Sequence, residues 1–388
     1  MSSKRLPINI ELETLLALLI VLGGMLTAFT ISDLVELPNE RLLVKALGVI
    51  LLVAAMSITI SRKSELQLDI HESIIIWLVI AFYVFLFFSD ILSPFGIFEI
   101  TFSNLLRIFA SILLLFLLFN EKNSTKIINT AIFFGVLIAL LSIVYLVLDI
   151  GRGEKFPIIG VYSRKSIIFE QNVFGILCYL TLIMTLFFSK ISGLSKLITL
   201  AILLIAIILS FYRTVWILSF LILFYYFWKT SAFLRLVTIV LFYMGTVLFI
   251  SNFETINEVL KLEQLATLTG RTDLWQAAAV GIKEYPIFGT GESSVRYFTS
   301  VYGPRLFTTY HNVFVDIVAM TGGVGLTIYL MIIALLFLHT KNKIILLFVW
   351  APALSNTFFI FSPNPLGLLS GIMTIILINK EIVIGNRS

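Results

Sequence analysis

Residues 127–148 read IINTAIFFGVLIALLSIVYLVL and contain no charged side chain. A transmembrane helix needs about 20 consecutive apolar residues, so this stretch is long enough to cross a bilayer. The chain has 388 residues, of which 59% are hydrophobic and 13% are charged. Soluble domains carry about 25% charged residues. The composition therefore excludes an ordinary soluble enzyme, a disordered chain and a disulfide scaffold.

Comparable apolar runs recur along the whole chain. They predict an all-α polytopic integral membrane protein with about twelve transmembrane helices, which form a single membrane domain over residues 1–388. The predicted spans are 12–31, 42–60, 74–92, 105–119, 127–148, 167–188, 197–212, 214–228, 236–251, 312–338, 344–361 and 366–379.

Lys and Arg are concentrated on every second connection between these spans. With the N-terminus inside, each inner segment carries two of the 27 basic residues, whereas the outer segments 32–41, 89–104 and 362–365 carry only Arg41. Cytoplasmic loops are enriched in basic residues. The alternation predicts that both termini are cytoplasmic, and it accounts for the net charge of +5 without a nucleic-acid partner.

Some basic residues lie on the outer side, against this bias, and they favour an anionic ligand there. Arg213 is the clearest case. A helix over the 32 residues between Lys196 and Lys229 would be about 48 Å long, too long for one span of about 30 Å. A hairpin with Arg213 at its tip is therefore expected. Anion binding and a helix-end Arg that snorkels to the interface both fit this position.

The connection 252–310 is predicted to be an extracytoplasmic loop between the ninth and tenth spans. It is much the longest connection, and long loops are usually functional. Its first part has largely helical spacing of apolar residues and predicts an amphipathic helix. In TGRTDLWQAAAVGIKEYP, Thr272 is expected to cap a second helix and Pro286 to end it. Arg271 then lies at a helix N-terminus, where free N–H groups favour an anion.

His311 opens the tenth predicted span at the outer edge of the membrane. A neutral imidazole there is able to accept a proton from a hydroxyl group, because its pKa lies near neutral pH. An interfacial His at a helix start is an equally good interpretation. His71 and His339 adjoin basic clusters on the inner side and are predicted to be solvated loop residues.

Weaker signals lie nearby. Gly289 and Gly291 in FGTGESS predict a tight turn rather than a phosphate cradle. Arg107 fits either an outer anion site or an ion pair with Glu99. Aromatic residues near His311, including Tyr310, fit either sugar stacking or interfacial anchoring. No set of side chains with metal-ligand spacing is evident on the outer face.

Three segments together resemble the O-antigen ligase and O-antigen polymerase family of membrane glycosyltransferases. They are SFYRTVWIL around Arg213, GRTDLWQAAAVGIKEYPIFGTG around Arg271 and YHNVFVDIVAMTGGVG around His311. A fourth segment, SRKSIIFEQNVFG, is similar to an earlier periplasmic motif of the family, with Arg164 and Asn172 at matching positions. It has Glu-Gln where many members carry Pro before the Asn.

The resemblance implies a polytopic, GT-C-like glycosyltransferase of the bacterial inner membrane, active on the periplasmic face without metal or cofactor. Its donor would be an undecaprenyl-pyrophosphate-linked glycan. Arg213 and Arg271 would hold the pyrophosphate, and His311 would act near the acceptor hydroxyl, which favours inversion. The further substrate-binding candidates are Arg107, Arg164, Asn172, Arg296, Arg305 and Tyr310.

The resemblance does not separate a polymerase, whose acceptor is another lipid-linked repeat unit, from a ligase, whose acceptor is a lipid A core or another surface anchor. Membrane lipids are expected partners, and a chain-length regulator or a flippase is also compatible. A twelve-span transporter or flippase is the alternative function. Such proteins commonly have two similar halves, and this sequence has no internal repeat. A non-catalytic scaffold would have no use for three converging site residues.

Overall fold

A computed structural model gives the fold and is all-helical in the part of the chain that it describes. The described residues are 8–26, 38–62, 70–95, 98–120, 125–151, 171–210, 212–230, 235–236, 239–240, 271–303, 309–356, 359, 361–362 and 365–379.

Thirteen α-helices are numbered here along these residues, and one 3-10 helix, Ala351–Leu354, follows the twelfth. The α-helices are α1 (Ile8–Leu26), α2 (Pro38–Arg62), α3 (Ile70–Leu92), α4 (Phe98–Asn120), α5 (Thr125–Gly151), α6 (Gln171–Phe187), α7 (Gly193–Leu209), α8 (Arg213–Thr230), α9 (Arg271–Glu284), α10 (Ser294–Tyr302), α11 (Val313–His339), α12 (Lys343–Trp350) and α13 (Pro365–Asn379).

Many of these helices are apolar. Three are long and apolar enough to cross a membrane, namely Ile70–Leu92, Thr125–Val144 and Val313–His339, and seven shorter apolar helices accompany them. The predicted hairpin around Arg213 is present as α7 and α8. The ninth predicted span and the amphipathic segment of the long loop lie largely outside the described residues. The total of twelve spans therefore stays a prediction.

α3 and α11 form an antiparallel pair through the bundle. At one end, the rings of His71 and His339 lie 4.4 Å apart between centroids. Midway, Phe82 packs on Tyr329 at 5.4 Å. The prediction that both His residues lie in loops was wrong, because both lie in helices and contact each other. His71 is exposed, as predicted for a solvated residue, and His339 is half-buried. His311, at the start of α11, is at the other end of this pair.

The predicted span 312–338 is present as α11, which is broken at Gly322. Gly322 has φ 63° and ψ −163°, which no helical residue adopts. The loop Pro286–Gly291 supplies the missing hydrogen bonds. The N–H of Gly323 donates to Pro286 O at 2.8 Å, and that of Val324 donates to Ile287 O at 3.2 Å.

The same loop also donates to the first half of α11. Thr290 N–H bonds to Ala319 O at 3.0 Å, and Gly291 N–H bonds to Met320 O at 2.9 Å. The backbones approach so closely that a Cβ at Gly289, where φ is 72°, would lie 2.4 Å from Met320 carbonyl atoms. The predicted tight turn is thus correct, and the N–H groups of Thr290 and Gly291 are already used within the protein.

Two side chains at the end of α3 stabilise the contact between the loop Pro286–Gly291 and α11. The hydroxyl of Ser89 bonds to Met320 O at 2.6 Å and to Phe288 O at 2.8 Å. The fully buried carboxylate of Asp90 accepts from the N–H of Ser293 at 3.0 Å and from its hydroxyl at 2.8 Å. A buried carboxylate requires such donors. The helices α9 and α10, on either side of this loop, are therefore held on the bundle.

α12 does not continue through the predicted span 344–361. It ends at Trp350, and the chain turns through the 3-10 helix into the buried residues Ser355 and Asn356. The physical reason is Pro352, which has no N–H for the helix and whose carbonyl instead accepts from Ser355 and Asn356, each at 3.0 Å. Irregular backbone in a membrane protein is tolerated where it is buried in protein or lines a cavity.

A substitution at the break in α11 tests this packing. In Gly322→Ala, the Cβ would lie 2.3 Å from the carbonyl oxygen of Ile287, at a backbone conformation that Ala rarely adopts. We expect the free energy of unfolding in detergent to fall by at least about 2 kcal/mol. Gly323→Ala is the matched control, since its nearest neighbour, Pro286 O, is 3.5 Å away. Equal stability of the two variants would contradict the prediction.

Candidate active site at three helix starts

Arg213 is the first residue of α8, and the residues before it explain why the helix begins there. The carbonyl of Tyr212 accepts from the N–H groups of Val215 and Trp216, at 3.0 and 3.2 Å. The indole N–H of Trp216 reaches back to Ile207 O on α7 at 2.8 Å, which closes the hairpin. Arg213 is half-buried at this tip.

Tyr212 links the hairpin tip to the segment after α12. Its buried hydroxyl lies 3.0 Å from the carbonyl oxygen of Ser355 and 2.6 Å from the Ser355 hydroxyl. The Ser355 hydroxyl in turn donates to Pro352 O at 3.1 Å. The residue that directly precedes Arg213 is therefore anchored to the irregular backbone at 351–356.

Arg271 is the first residue of α9 and is half-buried. Its Nη2 donates to the same Ser355 carbonyl oxygen at 2.9 Å. The prediction that Thr272 caps the helix was wrong, because Thr272 lies within α9; the predicted end before Pro286 is correct. A guanidinium group has five N–H donors, so one bond to a carbonyl leaves most of its donor capacity for other acceptors.

His311 stands two residues before α11. Its φ of 56° is uncommon for a residue other than glycine and is stabilised only by its surroundings. Its Nδ1 lies 3.4 Å from the hydroxyl of Thr309. The next residue, Asn312, caps α11, because its side-chain oxygen accepts from the N–H groups of Phe314 and Val315 at 3.0 and 3.2 Å.

The three helix starts converge on two consecutive peptide units. Asn312 donates from Nδ2 to the carbonyl oxygen of Leu354 at 3.1 Å. The next carbonyl, that of Ser355, receives Arg271 and Tyr212. We call the carbonyl oxygens of Leu354 and Ser355 the carbonyl pair. Through it, Arg271 and the immediate neighbours of Arg213 and His311 are brought to one place.

Tyr310 directly precedes His311 in the chain. Its backbone N–H donates to Asp316 Oδ1 at 3.0 Å, and its carbonyl accepts from the indole of Trp275 on α9 at 3.1 Å. The ring is fully buried, and its hydroxyl has no hydrogen-bond partner among the described residues. Burial and the nearby Asp316 carboxylate raise the pKa of the Tyr310 phenol. This placement favours a structural role over stacking on a sugar.

Two of the other candidates have described side chains. Asn172 is the second residue of α6 and is half-buried, while Arg296 is exposed on α10. Arg107 lies within α4. Arg164 and Arg305 fall outside the described residues. Among the described side chains, neither Asn172 nor Arg296 is hydrogen-bonded to Arg271.

Over the described part of the chain, His, Cys, Asp and Glu side chains form no group of three or more that is suited to hold a metal ion. Metal independence stays a prediction.

Residues 198–330, about a third of the chain, match the family model described as O-antigen ligase. The match confirms that this segment resembles the O-antigen ligase and polymerase family. It contains Arg213, Arg271 and His311 and ends within α11. A search of curated proteins found no match. The match and the many apolar helices together indicate a bacterial membrane protein.

The residues that hold these groups in place were not predicted from the sequence. Tyr212 and Asn312 lie within the quoted motifs, but only their neighbours were singled out. Leu354 and Ser355 lie beyond the segment matched to the O-antigen ligase family. The available signal was Pro352, followed by Ser355 and Asn356, within an otherwise apolar run. Such a polar break in a span indicates backbone that serves a site.

The Tyr212 hydroxyl offers a test of the anchoring contact. Tyr212→Phe removes a buried hydrogen bond to Ser355 and should lower the free energy of unfolding in detergent by about 1 kcal/mol. Tyr302→Phe is the matched control, because Tyr302 is 49% exposed, and it should change stability by less than about 0.5 kcal/mol. The same loss in both variants would speak against the contact.

Proposed function

We propose that the protein is a membrane glycosyltransferase that moves an undecaprenyl-pyrophosphate-linked glycan onto a sugar hydroxyl at the extracytoplasmic face. The O-antigen ligase match supports a glycosyl-transfer enzyme of the ligase or polymerase type. The observation that carries the proposal is the convergence of the three helix starts on the carbonyl pair.

Arg213 and Arg271 are assigned to the pyrophosphate of the donor. Breaking the glycosidic bond leaves both bonding electrons on the pyrophosphate oxygen, so negative charge grows there in the transition state. A guanidinium is always charged and matches phosphate oxygens in a fork. Fixed cations aimed at this charge stabilise the transition state more than the ground state. Each Arg also starts a helix, whose N-terminus favours an anion.

His311 is assigned as the general base. The acceptor hydroxyl attacks the anomeric carbon, and its proton passes to the neutral imidazole as the new glycosidic bond forms. A base on the face opposite the leaving pyrophosphate makes the transfer inverting. The Thr309 contact at Nδ1 holds the ring in orientation.

A reconstituted assay tests the proposal. Purified protein in liposomes is incubated with a polyprenyl-pyrophosphate glycan and either a second lipid-linked unit or a separate glycolipid acceptor. Growth on the carrier identifies a polymerase, and transfer to the separate acceptor identifies a ligase. Full activity in a chelator agrees with metal-independent transfer. Movement of the glycan across the bilayer without a new glycosidic bond would support the transporter alternative instead.

Charge substitutions test the assigned roles in that assay. We expect Arg213→Ala and Arg271→Ala each to lower kcat by about 10²- to 10³-fold, because each removes one stabiliser of the developing charge. Arg271→Lys should recover only part of this, since an ammonium lacks the planar fork. Lys283→Ala, an exposed cation at the other end of α9, is the matched control. If Arg271→Ala keeps activity within roughly threefold of wild type, Arg271 does not have the assigned role at the pyrophosphate.

The pH profile tests the base. With His311 as the base, kcat/KM should fall as the pH drops below about 6.5, where an ordinary imidazole becomes protonated and cannot accept a proton. The residual kcat/KM of His311→Gln should no longer fall as the pH drops through this range. If kcat/KM of the variant still falls at low pH as in wild type, the proton acceptor is a group other than His311.

A further inference from the structure

One side chain contacts both the start of α11 and the carbonyl pair. The amide oxygen of Asn312 accepts from Phe314 and Val315, and its amide nitrogen donates to Leu354 O at 3.1 Å. Helix capping needs only the oxygen, and Ser, Thr or Asp serve as well as Asn in that role. The nitrogen contact is therefore a second function of the same residue.

The partner of that nitrogen is a well-defined reference point. Leu354 ends the 3-10 helix, and the N–H groups of Ser355 and Asn356 are both bonded to Pro352 O at 3.0 Å. The carbonyls of Leu354 and Ser355 belong to consecutive planar peptide units, whose separation is limited by covalent geometry. A contact to one carbonyl therefore fixes position relative to the other.

Arg271 binds the second of these carbonyls. Its Nη2 lies 2.9 Å from Ser355 O, and the Tyr212 hydroxyl shares that oxygen. His311 directly precedes Asn312 and has a left-handed backbone with φ 56°, a conformation that persists only when its neighbours are held. The two contacts at the carbonyl pair therefore set where the His311 backbone lies relative to the Arg271 guanidinium.

We propose that Asn312 is a positioning residue that holds His311 in register with Arg271 by tying the start of α11 to the carbonyl pair. The inference rests on the proposed function, in which His311 is the base and Arg271 binds the leaving pyrophosphate. The Asn312 contact would set the distance between these two groups. Asn312 itself does not touch the reacting atoms. Displacement of a catalytic group by about 1 Å costs up to 10²-fold in rate.

Two substitutions separate capping from positioning. Asn312→Asp keeps a cap oxygen but replaces the amide donor with an acceptor that repels Leu354 O. Asn312→Ser keeps a cap oxygen and has no donor of the same reach, without adding charge. We expect both to lower kcat by about 10- to 100-fold while the KM for the lipid-linked donor changes less than about threefold. A residue that only caps the helix would leave both variants at wild-type turnover.

Hydrogen exchange provides a readout that does not depend on turnover. In Asn312→Asp, amide exchange should become faster in the segment 351–356, whereas the first turn of α11 should keep its protection because the cap remains. Unchanged exchange at 351–356 together with wild-type kcat would overturn the inference. Loss of protection in both segments would also overturn it, since the residue would then act through the stability of α11.

Asn379→Asp is the matched control. Its amide also donates to a backbone carbonyl, Ile375 O at 2.9 Å, and it lies at the end of α13, away from the carbonyl pair. It should leave both kcat and exchange at 351–356 unchanged. If wild-type protein makes no product, the proposed function fails, and the exchange result still decides whether Asn312 restrains the 351–356 segment.

Discussion

A backbone N–H or C=O that loses its helical partner inside a membrane has to find another, because an unsatisfied group there costs several kcal/mol. The described part of the chain meets this constraint at two places. At Gly322 the replacement partners come from the loop Pro286–Gly291, and after Trp350 they come from Tyr212, Arg271 and Asn312. After Trp350 these partners are Arg271 itself and the neighbours of Arg213 and His311, and the loop Pro286–Gly291 connects α9, which begins at Arg271, to α10. The hydrogen bonds that satisfy the backbone groups of the broken helices therefore also set the geometry of the site.

The bond between Arg271 and Ser355 O suits a residue that has to bind an anion. A neutral carbonyl holds the guanidinium in place but competes weakly with a phosphate group, since phosphate oxygens carry negative charge and match the guanidinium as a bidentate fork. The guanidinium keeps further donors after this one bond. The structure thus combines a fixed position with an affinity for anions that is largely retained.

Periodicity and charge predicted much of the fold, and helix-end signals predicted part of the site. The hairpin tip at Arg213 followed from two Lys residues too far apart for one span, and Pro286 correctly ended α9. The break at Gly322 was missed, because its surroundings are as apolar as those of an intact span. Contacts of the carbonyl pair join residues more than 40 positions apart, and no local pattern in one sequence encodes them. Arg164, Arg305 and residues 241–270 lie outside the described chain, so their roles stay predictions.

The two glycine-containing segments at 286–291 and 319–324 pack together without room for a Cβ at Gly289 or Gly322. Each segment supplies backbone donors and acceptors that match the other in spacing. Insertions or deletions in one would shift every bond to its counterpart. The pair therefore has to be inherited as one unit, and a chimera between family members needs both segments from the same parent.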